Sequence, residues 1–358
     1  MSPVVSFFSL AIKFSTVFLF GATGEIINQK SGHLNMGTPG IMYLGALGGI
    51  LGERIYMDII GPDAALNPFL VVLFPVLFAI LFGAIGGAIF SFFTVTLHCN
   101  QNVTGLTLTT LGVGVACFFI GTMNTTRMTE AGALMQHAFP GYENLGWFGD
   151  IFLSQSWFTY LGIAVAIAAA VVLKYTRVGL NLRAVGENAS AADSAGVNVN
   201  GYRYIATIIG GAIAGIGGAF YELDNARGAF NVADGIDAFG WLALCIVIFS
   251  MWKPVVAIGA SFLFACLSIS PTFFSSYLGG ATYVTYLLKM APYIATIVVL
   301  IIVSIVDKKL QPPANLGVSY FREDRYVVRK EEIEEKLPQK PLHFPNEAFG
   351  KHVCLPTF

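Results

Sequence analysis

The sequence predicts an all-α, polytopic integral membrane protein with about 8 (7 to 10) transmembrane or re-entrant helices. Two observations lead to this class. Of the 358 residues, 55% are hydrophobic and 11% are charged, and the mean hydropathy is +0.70. A soluble domain carries about 25% charged residues, so this composition excludes one. In addition, apolar segments of about 20 residues, the length that crosses a bilayer as a helix, recur through the first 306 residues.

Six segments are long and apolar enough to be spanning helices, and in chain order they are residues 4–27, 67–97, 106–123, 158–173, 204–221 and 286–306. Two further regions, 34–52 and 239–267, are short or interrupted. The first contains Thr38-Pro39-Gly40 and the second contains Lys253-Pro254. Broken helices at membrane depth need protein or a water-filled cavity to satisfy the freed backbone groups. We therefore expect these regions to line a path, and the sequence leaves open whether they are re-entrant.

Small residues at helical spacing predict close contacts between helices. The glycines concerned are Gly83, Gly86, Gly87, Gly211, Gly215 and Gly218. We expect these contacts inside the chain, and a dimer interface is the alternative.

The distribution of basic residues predicts the orientation in the membrane. Lys174, Arg177, Arg183 and Arg203 flank a polar loop at 174–203, whereas residues 221–238 hold Glu222, Asp224, Asp234 and Asp237 against Arg227. The loop at 174–203 is thus predicted to be cytoplasmic, and residues 221–238 external. Nine of the 20 Lys and Arg residues follow Val306, so residues 307–358 are predicted to form a charged, cytoplasmic tail. The five cysteines form no CxxC pair, and no metal site is predicted.

Four ordered sequence blocks point to a family. They are Gly24-Glu25 followed by QKSGHLNMG at 29–37, NQNVTGLTL at 100–108, TRVGLNLRAVGENASAADSAGVNV at 176–199, and GWLAL at 240–244 followed by VIF and Trp252-x-Pro254. Together they resemble the permease subunits of ABC importers for nucleosides, simple sugars and branched-chain amino acids, and most of all the nucleoside-type permeases. Thr38-Pro39 stands where that family commonly has Leu-Glu, and Ala189-Ser190 replaces a proline-containing turn.

The resemblance implies that residues 1–306 are a membrane permease domain and that loop 174–203 docks on an ATPase. A short helix held between two membrane helices can transmit rigid-body motion, and Asp193 followed by Ala-Gly is able to end such a helix. The residues expected to couple the chain to the ATPase are Arg183, Gly186, Glu187, Asn188, Asp193, Gly196 and Asn198.

The resemblance also implies the partners, which are a cytosolic ABC ATPase, a second and non-identical permease subunit, an extracytoplasmic substrate-binding lipoprotein and membrane lipid, with no nucleic acid polymer. The location is the bacterial cytoplasmic membrane, with a cytoplasmic C-terminus. The chain has no phosphate-binding loop, since Gly350-Lys351 is followed by His352. We therefore expect ATP and Mg²⁺ on the partner subunit, no cofactor on this chain, and no catalytic residues.

Polar and aromatic side chains near the interrupted regions are the candidates for the substrate path. They are Asn35, Thr38, Asn100, Gln101, Asn102, Thr104, Thr109, Phe239 and Trp241. Amides and hydroxyls exchange hydrogen bonds with polar solutes, and aromatic rings contact a base or a sugar face. The alternative role for such residues is hydrogen bonding between helices. Nucleosides lead as the solute, ahead of riboflavin and simple sugars.

Two other classes compete with this reading. An ion-coupled secondary transporter would also use broken helices, and it would bury ionisable residues in them. Lys13 and Glu25 are the ionisable residues in the first segment, and Glu25 lies near its end, where it could reach water or pair with Lys30. A membrane scaffold is the third class. Neither alternative accounts for the pattern at 183–199.

Overall fold

The computed structural model describes residues 3–61, 66–120, 132, 134, 145–225, 235–275, 282–306 and 312–321, and these residues form a helical bundle with no strand among them. The helices are α1 Pro3–Lys30, α2 Thr38–Ile60, α3 Pro68–Ser91, α4 Gln101–Ile120, α5 Trp157–Tyr175, α6 Arg177–Glu187, α7 Ala189–Ser194, α8 Val199–Phe220, α9 Ile236–Phe249, α10 Pro254–Phe274, α11 Thr282–Lys289 and α12 Ala291–Val306. π-Helical turns at Phe92–Thr96 and Tyr221–Asn225 extend α3 and α8, and Gly146–Phe148 followed by Gly149–Leu153 precedes α5.

Seven helical stretches of the described chain are long and apolar enough to cross a membrane. They are Pro3–Lys30, Pro68–Thr96, Gln101–Phe119, Trp157–Tyr175, Val199–Asp224, Pro254–Phe274 and Thr282–Ile301. The predicted all-α, polytopic class is confirmed. Each of the six predicted segments overlaps one of these helices.

The first of the two regions predicted to be broken differs from the prediction. α2 runs without interruption over 23 residues from Thr38, and Pro39 lies in its first turn. Proline is tolerated there because the first N–H groups of a helix have no intrahelical partner. The break therefore precedes the helix, in residues 31–37, and Thr38-Pro39-Gly40 begins α2 instead of interrupting it.

The second region is split as predicted, into α9 and α10, which meet at a turn where Met251 and Trp252 have φ near 55°. α10 runs antiparallel to α1 along most of its length. At one end Trp252 bonds Gln29, and at the other the ring of Phe273 lies 5.3 Å from that of Phe7. α9 has 14 residues and spans about 21 Å, less than a membrane thickness. The region is therefore a hairpin of one short and one long helix.

The centre of the bundle consists of α1, α2, α3 and α8, which approach one another at glycines. A Cβ on Gly83 would overlap the carbonyl oxygen of Gly211, and a Cβ on Gly24 would overlap that of Gly210. A Cβ on Gly218 would overlap the carbonyl oxygen of Met42. The predicted small-residue contacts are therefore made inside the chain.

Acidic residues that the sequence assigns to the external loop lie inside the bundle. Glu222 and Asp224, in the π-helical turn after α8, are buried, and the Asp224 carboxylate lies 2.9 Å from the Lys13 ammonium of α1. These two residues are thus part of the packed structure, and their counting as loop charges is wrong. Asp234 and Arg227 lie outside the described residues.

The first compact unit of the chain extends from Met1 to Tyr320, past the predicted boundary at Val306. Residues 312–320 follow α12 and contact α6, α7 and α8, as described below. They are part of the predicted tail of residues 307–358, and residues 322–358 of that tail are outside the described part of the chain.

Substitution of Gly45 by alanine is expected to destabilise the protein. Its Cβ would overlap the backbone of Gly215 across the α2–α8 contact, and overpacking of this kind costs about 1–3 kcal/mol. We expect Gly45→Ala to lower the midpoint of thermal unfolding in detergent. Gly259→Ala is the matched control, because a Cβ on Gly259 of α10 meets no atom within 4 Å. Equal midpoints for the two variants would contradict the assigned helix contact.

Candidate functional site

The last turns of α1 place a buried carboxylate, Glu25, at the centre of a polar cluster. Its oxygens accept hydrogen bonds from Asn28 Nδ2 at 3.3 Å, Gln29 Nε2 at 2.9 Å, the backbone N–H of Asn35 at 3.2 Å and Thr38 Oγ1 at 2.9 Å. A buried carboxylate is tolerated only when such donors replace water. Glu25 therefore ties the end of α1 to the turn at 31–37 and to the start of α2. The expectation that it reaches water or pairs with Lys30 is wrong.

The cluster extends to the α9–α10 turn through Gln29. Trp252 Nε1 donates to Gln29 Oε1 at 2.6 Å. Because Gln29 also donates to Glu25, a single side chain connects the "GE" block of the sequence with its Trp-x-Pro block. The two blocks, more than 200 residues apart in the sequence, are thus one structural unit.

On its other side the cluster reaches α8. Thr207 Oγ1 donates to Asn28 Oδ1 at 2.7 Å and lies 3.2 Å from His33 Nδ1. His33 lies in the connection between α1 and α2, and burial, together with the nearby charge of Arg203, lowers its pKa to about 3. The imidazole is therefore neutral at physiological pH and acts as a hydrogen-bonding group.

Four of the residues predicted for the substrate path make hydrogen bonds that stabilise this turn. Asn35 Oδ1 accepts from the N–H of Gly37 at 2.8 Å, and Thr38 binds Glu25. Gln101 Oε1 accepts from the N–H of Leu34 at 2.8 Å, and Thr109 Oγ1 donates to the carbonyl oxygen of Met36 at 3.3 Å. The bonds of Gln101 and Thr109 join α4 to the turn at 31–37.

Two others line an open cavity beside α4. Asn100 and Thr104 are part of the wall of a cavity of about 470 Å³, which α3 and the residues after it close with Phe90 and Phe93. Asn100 Oδ1 also accepts from the N–H groups of Asn102 and Val103 and so begins the helix. Asn102 is exposed on the same first turn.

The remaining two path candidates lie in α9, away from this cavity. The ring of Phe239 is 4.8 Å from that of Tyr221 and packs edge-on against Phe14 and Phe18 of α1. Trp241 is half-buried. The structure therefore places four of the nine candidates at the turn at 31–37, Asn100 and Thr104 at the α4 cavity, Asn102 beside that cavity on the exposed start of α4, and Phe239 and Trp241 on α9.

The loop that joins α5 to α8 consists of the two short helices α6 and α7, and asparagines begin α7 and α8. Asn188 Oδ1 accepts from the N–H of Ala191 at 2.9 Å, and Asn198 Oδ1 accepts from the N–H of Gly201 at 3.0 Å. Such caps satisfy backbone donors that the helix leaves without partners. Both residues were predicted to couple the chain to the ATPase, and both define the geometry of the loop.

The end of α7 is a sharp, glycine-dependent stop. Val197 N–H bonds the carbonyl oxygen of Ala192 and Gly196 N–H bonds that of Asp193, each at 3.0 Å, while Gly196 has φ = 84°. This is the Schellman arrangement, in which glycine adopts the left-handed conformation after a helix. The prediction that the residues around Asp193 end a short helix is confirmed.

One side of α6 and α7 is exposed to solvent, and the other side packs against the bundle. The first turn of α6 exposes Arg177, Val178 and Leu180. From Ala184 onward the exposed positions carry small side chains and amides apart from Glu187, and they are Ala184, Glu187, Asn188, Ser190, Ala191, Ser194, Ala195, Gly196, Asn198 and Asn200. On the inner side, a Cβ on Gly186 would overlap the carbonyl oxygen of Lys30 at the end of α1. Arg183 is half-buried, and so is Asp193, whose carboxylate accepts from Tyr320.

Five residues of the polar cluster are not among the predicted site residues, namely Asn28, Gln29, His33, Thr207 and Trp252. One signal was available within α1, because Glu25, Asn28 and Gln29 are spaced i, i+3 and i+4 and so share one face of a helix. No local signal connects Thr207 or Trp252 to that face, since both contacts depend on packing between distant segments.

Comparison with known proteins places this architecture in a family. Residues 6–306 match the family described as "Branched-chain amino acid transport system / permease component". The match begins in the first turn of α1 and ends where α12 ends. No solved structure matches the chain.

Three curated relatives cover most of the chain. The nucleoside ABC transporter permease protein NupC of Lactococcus lactis subsp. cremoris (strain MG1363) is 31% identical over 311 residues, which are 86% of this chain and 94% of NupC. The guanosine ABC transporter permease protein NupQ of Bacillus subtilis (strain 168) is 29% identical over 90% of this chain and 99% of its own length. The putative glucose ABC transporter permease protein TsgC13 of Haloferax volcanii is 30% identical over 75% of this chain and 77% of its own length.

These matches agree with the polytopic helical bundle. They also agree with the family resemblance of the four sequence blocks, whose residues form the Glu25 cluster, part of the α4 cavity and the α6–α7 loop. The chain is thus a multi-pass membrane protein that belongs to the branched-chain amino acid transport permease family, and it is the permease subunit of an ABC importer.

Proposed function

We propose that this chain forms half of the translocation path of an ABC importer for nucleosides or a chemically similar polar solute, such as riboflavin or a simple sugar. The observation that carries the proposal is the similarity, over almost the whole of both chains, to two permeases named for nucleosides and guanosine. A relative named for glucose, at similar identity over less of the chain, supports a wider range of polar solutes.

The proposed assembly contains a cytosolic ATPase that binds ATP and Mg²⁺, a second and non-identical permease subunit, and an extracytoplasmic lipoprotein that delivers the solute. It lies in the bacterial cytoplasmic membrane, with loop 174–203 and the C-terminus on the cytoplasmic side. This orientation follows from Lys174, Arg177 and Arg183 around α6. The chain itself performs no chemistry in this scheme.

The exposed side of α6 and α7 is the proposed docking surface for the ATPase. From Ala184 onward, small side chains and amides allow close approach of a partner. The side-chain caps of Thr176, Asn188 and Asn198, together with the Gly196 stop, keep the loop in one shape. The inner side of α6 contacts the end of α1 through Gly186 and Lys30. Movement of the loop would therefore displace α1 and, through Glu25, the turn at 31–37.

Nine side chains are proposed to line or support the substrate path. Asn100 and Thr104 would contact the solute in the α4 cavity, with Asn102 at its entrance. Asn35, Thr38, Gln101 and Thr109 would hold the wall next to it. Phe239 and Trp241, which lie on α9 away from this cavity, would contact the solute at a different point along the path.

An ion-coupled secondary transporter is the alternative. The carboxylates of Glu25 and Glu53 are buried, and so is Asp224, which pairs with Lys13. Buried ionisable residues of this kind also occur in ion-coupled carriers. Measurement of the energy source separates the two mechanisms.

We expect ATP-dependent uptake by the purified complex. The complex is isolated by gentle detergent pull-down of this chain, its components are identified by mass spectrometry, and it is reconstituted in liposomes that contain ATP. Accumulation of radiolabelled guanosine should need ATP and should not respond to a protonophore, with glucose as the comparison solute. Recovery of the chain without an ATPase, or uptake driven by an ion gradient alone, would favour the alternative.

Substitution of Gly196 by valine is expected to uncouple ATP hydrolysis from uptake. The position has φ = 84°, and its Cβ would meet no atom of this chain within 4 Å, so within the chain the change acts through the backbone conformation. Because Gly196 lies on the proposed docking surface, Gly196→Asn is the control for the added side chain. Valine is strained there, whereas asparagine is better tolerated. We expect Gly196→Val to lower the number of solute molecules imported per ATP while the complex still assembles, and Gly196→Asn to retain coupling. Unchanged uptake by Gly196→Val would exclude loop 174–203 as the coupling loop.

Removal of the hydroxyl of Thr104 is expected to raise the apparent KM for the solute. Thr104→Val keeps the shape of the side chain but removes one hydroxyl from a wall that also holds Asn100 and Thr107. Loss of one neutral hydrogen bond costs about 1 kcal/mol, or roughly fivefold. Thr110→Val is the control, because Thr110 lies on the same helix outside this cavity. An equal KM for both variants would remove Thr104 from the path.

A further inference from the structure

The segment that follows α12 crosses the junction between the α6–α7 loop and the core of the bundle. We call residues 312–320 the C-terminal strap. Its residues have no regular secondary structure apart from a turn, and Pro313 is buried. The strap lies beyond residue 306, where the family match ends.

Two backbone hydrogen bonds of the strap join α6 to the turn that follows α1. The N–H of Asn315 donates to the carbonyl oxygen of Gly186 at 2.9 Å, and the N–H of Gly317 donates to that of Gly32 at 3.0 Å. Gly186 lies in the last turn of α6, where carbonyl groups have no intrahelical partner. Gly32 and Gly186 are both buried, so their carbonyl groups need partners inside the protein. The strap supplies them.

A third bond attaches the strap to the start of α8. Arg203 is buried, and its Nη1 donates to the carbonyl oxygen of Val318 at 3.1 Å. Burial of a guanidinium group is unfavourable without acceptors. The strap thus provides an acceptor for a cation located between α8 and the turn that contains Gly32.

Side chains of the strap contact both halves of the junction. Tyr320 donates its hydroxyl to Asp193 Oδ2 at 2.8 Å and packs against the small apolar cluster of Val185, Ala189, Ala192 and Val199 beneath α6 and α7. Leu316 packs against the larger cluster that contains Ile26, Leu182 and Trp252. The strap therefore bonds or packs against α1, α6, α7 and α8 at once.

We propose that the C-terminal strap is a positioning element for coupling, which makes the α6–α7 loop, the end of α1 and the start of α8 move as one body. The inference rests on the proposed role of loop 174–203 in docking the ATPase. In the absence of the strap, the carbonyl groups of Gly32 and Gly186 and the guanidinium of Arg203 would lose their partners. α6 would then keep its packing contact between Gly186 and Lys30 but lose the hydrogen bonds that tie it to the turn after α1, so less of its motion would reach α1. Asn315, Gly317 and Tyr320 are the residues that supply this tie.

A pair of substitutions at Gly317 tests the strap without removing it. Gly317 has φ = 79°, and a Cβ there would meet no atom within 4 Å. Valine strains this backbone conformation and asparagine tolerates it better. In the reconstituted complex, we expect Gly317→Val to lower the solute imported per ATP by about fivefold or more, and Gly317→Asn to restore most of it. General loss of structure would reduce uptake and ATP hydrolysis together and would leave this ratio unchanged.

Hydrogen exchange gives a readout that does not depend on transport. Gly317→Val should speed backbone exchange in residues 31–37 and 183–199, whereas Gly317→Asn should not. A second pair of variants ends the chain after residue 311 or after residue 321. The shorter chain should behave like Gly317→Val, and the longer one, which keeps the strap, should behave like the intact protein.

The outcomes separate failure of this inference from failure of the docking proposal. Unchanged exchange and an unchanged ratio for Gly317→Val and for the chain that ends after residue 311 would overturn the inference. Faster exchange with an unchanged ratio would also overturn it, if Gly196→Val lowers the ratio. If neither Gly196→Val nor Gly317→Val changes the ratio, the docking role of loop 174–203 is wrong, and the coupling role of the strap is wrong with it.

Discussion

The buried carboxylate of Glu25 is the interaction on which this end of the bundle depends. A carboxylate at 2% exposure needs several donors in place of water. The four donors come from α1 itself, from the turn at 31–37 and from the first residue of α2. The chain must therefore reverse direction after α1 in one specific way. That reversal places Leu34 and Met36 where α4 bonds to them, and it directs Gln29 toward Trp252.

Close contact between helices makes this arrangement possible. α8 packs against α1, α2 and α3 at Gly210, Gly215 and Gly211, where backbone atoms of the partner helices occupy the space of a side chain. In lipid, such contacts hold helices together through dispersion, because apolar side chains gain little from leaving the bilayer. The short distances also bring Thr207 of α8 within hydrogen-bonding range of Asn28 and His33. Glycine packing and the polar cluster thus support each other.

The α6–α7 loop is built to keep its shape while it transmits motion. Its helices begin at side-chain caps and α7 ends at a left-handed glycine, so few of its backbone groups depend on a partner protein. Its inner side rests on Lys30 through Gly186, one turn beyond Glu25. A displacement of the loop is therefore applied directly to the polar cluster. The strap reinforces the same contact, because its backbone bonds both Gly186 of α6 and Gly32 of the turn after α1.

The sequence by itself determined the helical membrane class, the family, the split at Lys253-Pro254, the intramolecular glycine contacts and the end of α7. These features follow from composition, helical spacing and local capping, which act over a few residues. Only the tertiary structure decided which polar residues meet. It moved Asn35, Thr38 and Gln101 from an expected path into a bonded turn, buried Glu222 and Asp224, and joined Asn315 and Gly317 to carbonyl groups more than 100 residues away. Such contacts depend on the relative positions of helices, which are set by packing across the whole bundle and leave no local pattern in the sequence.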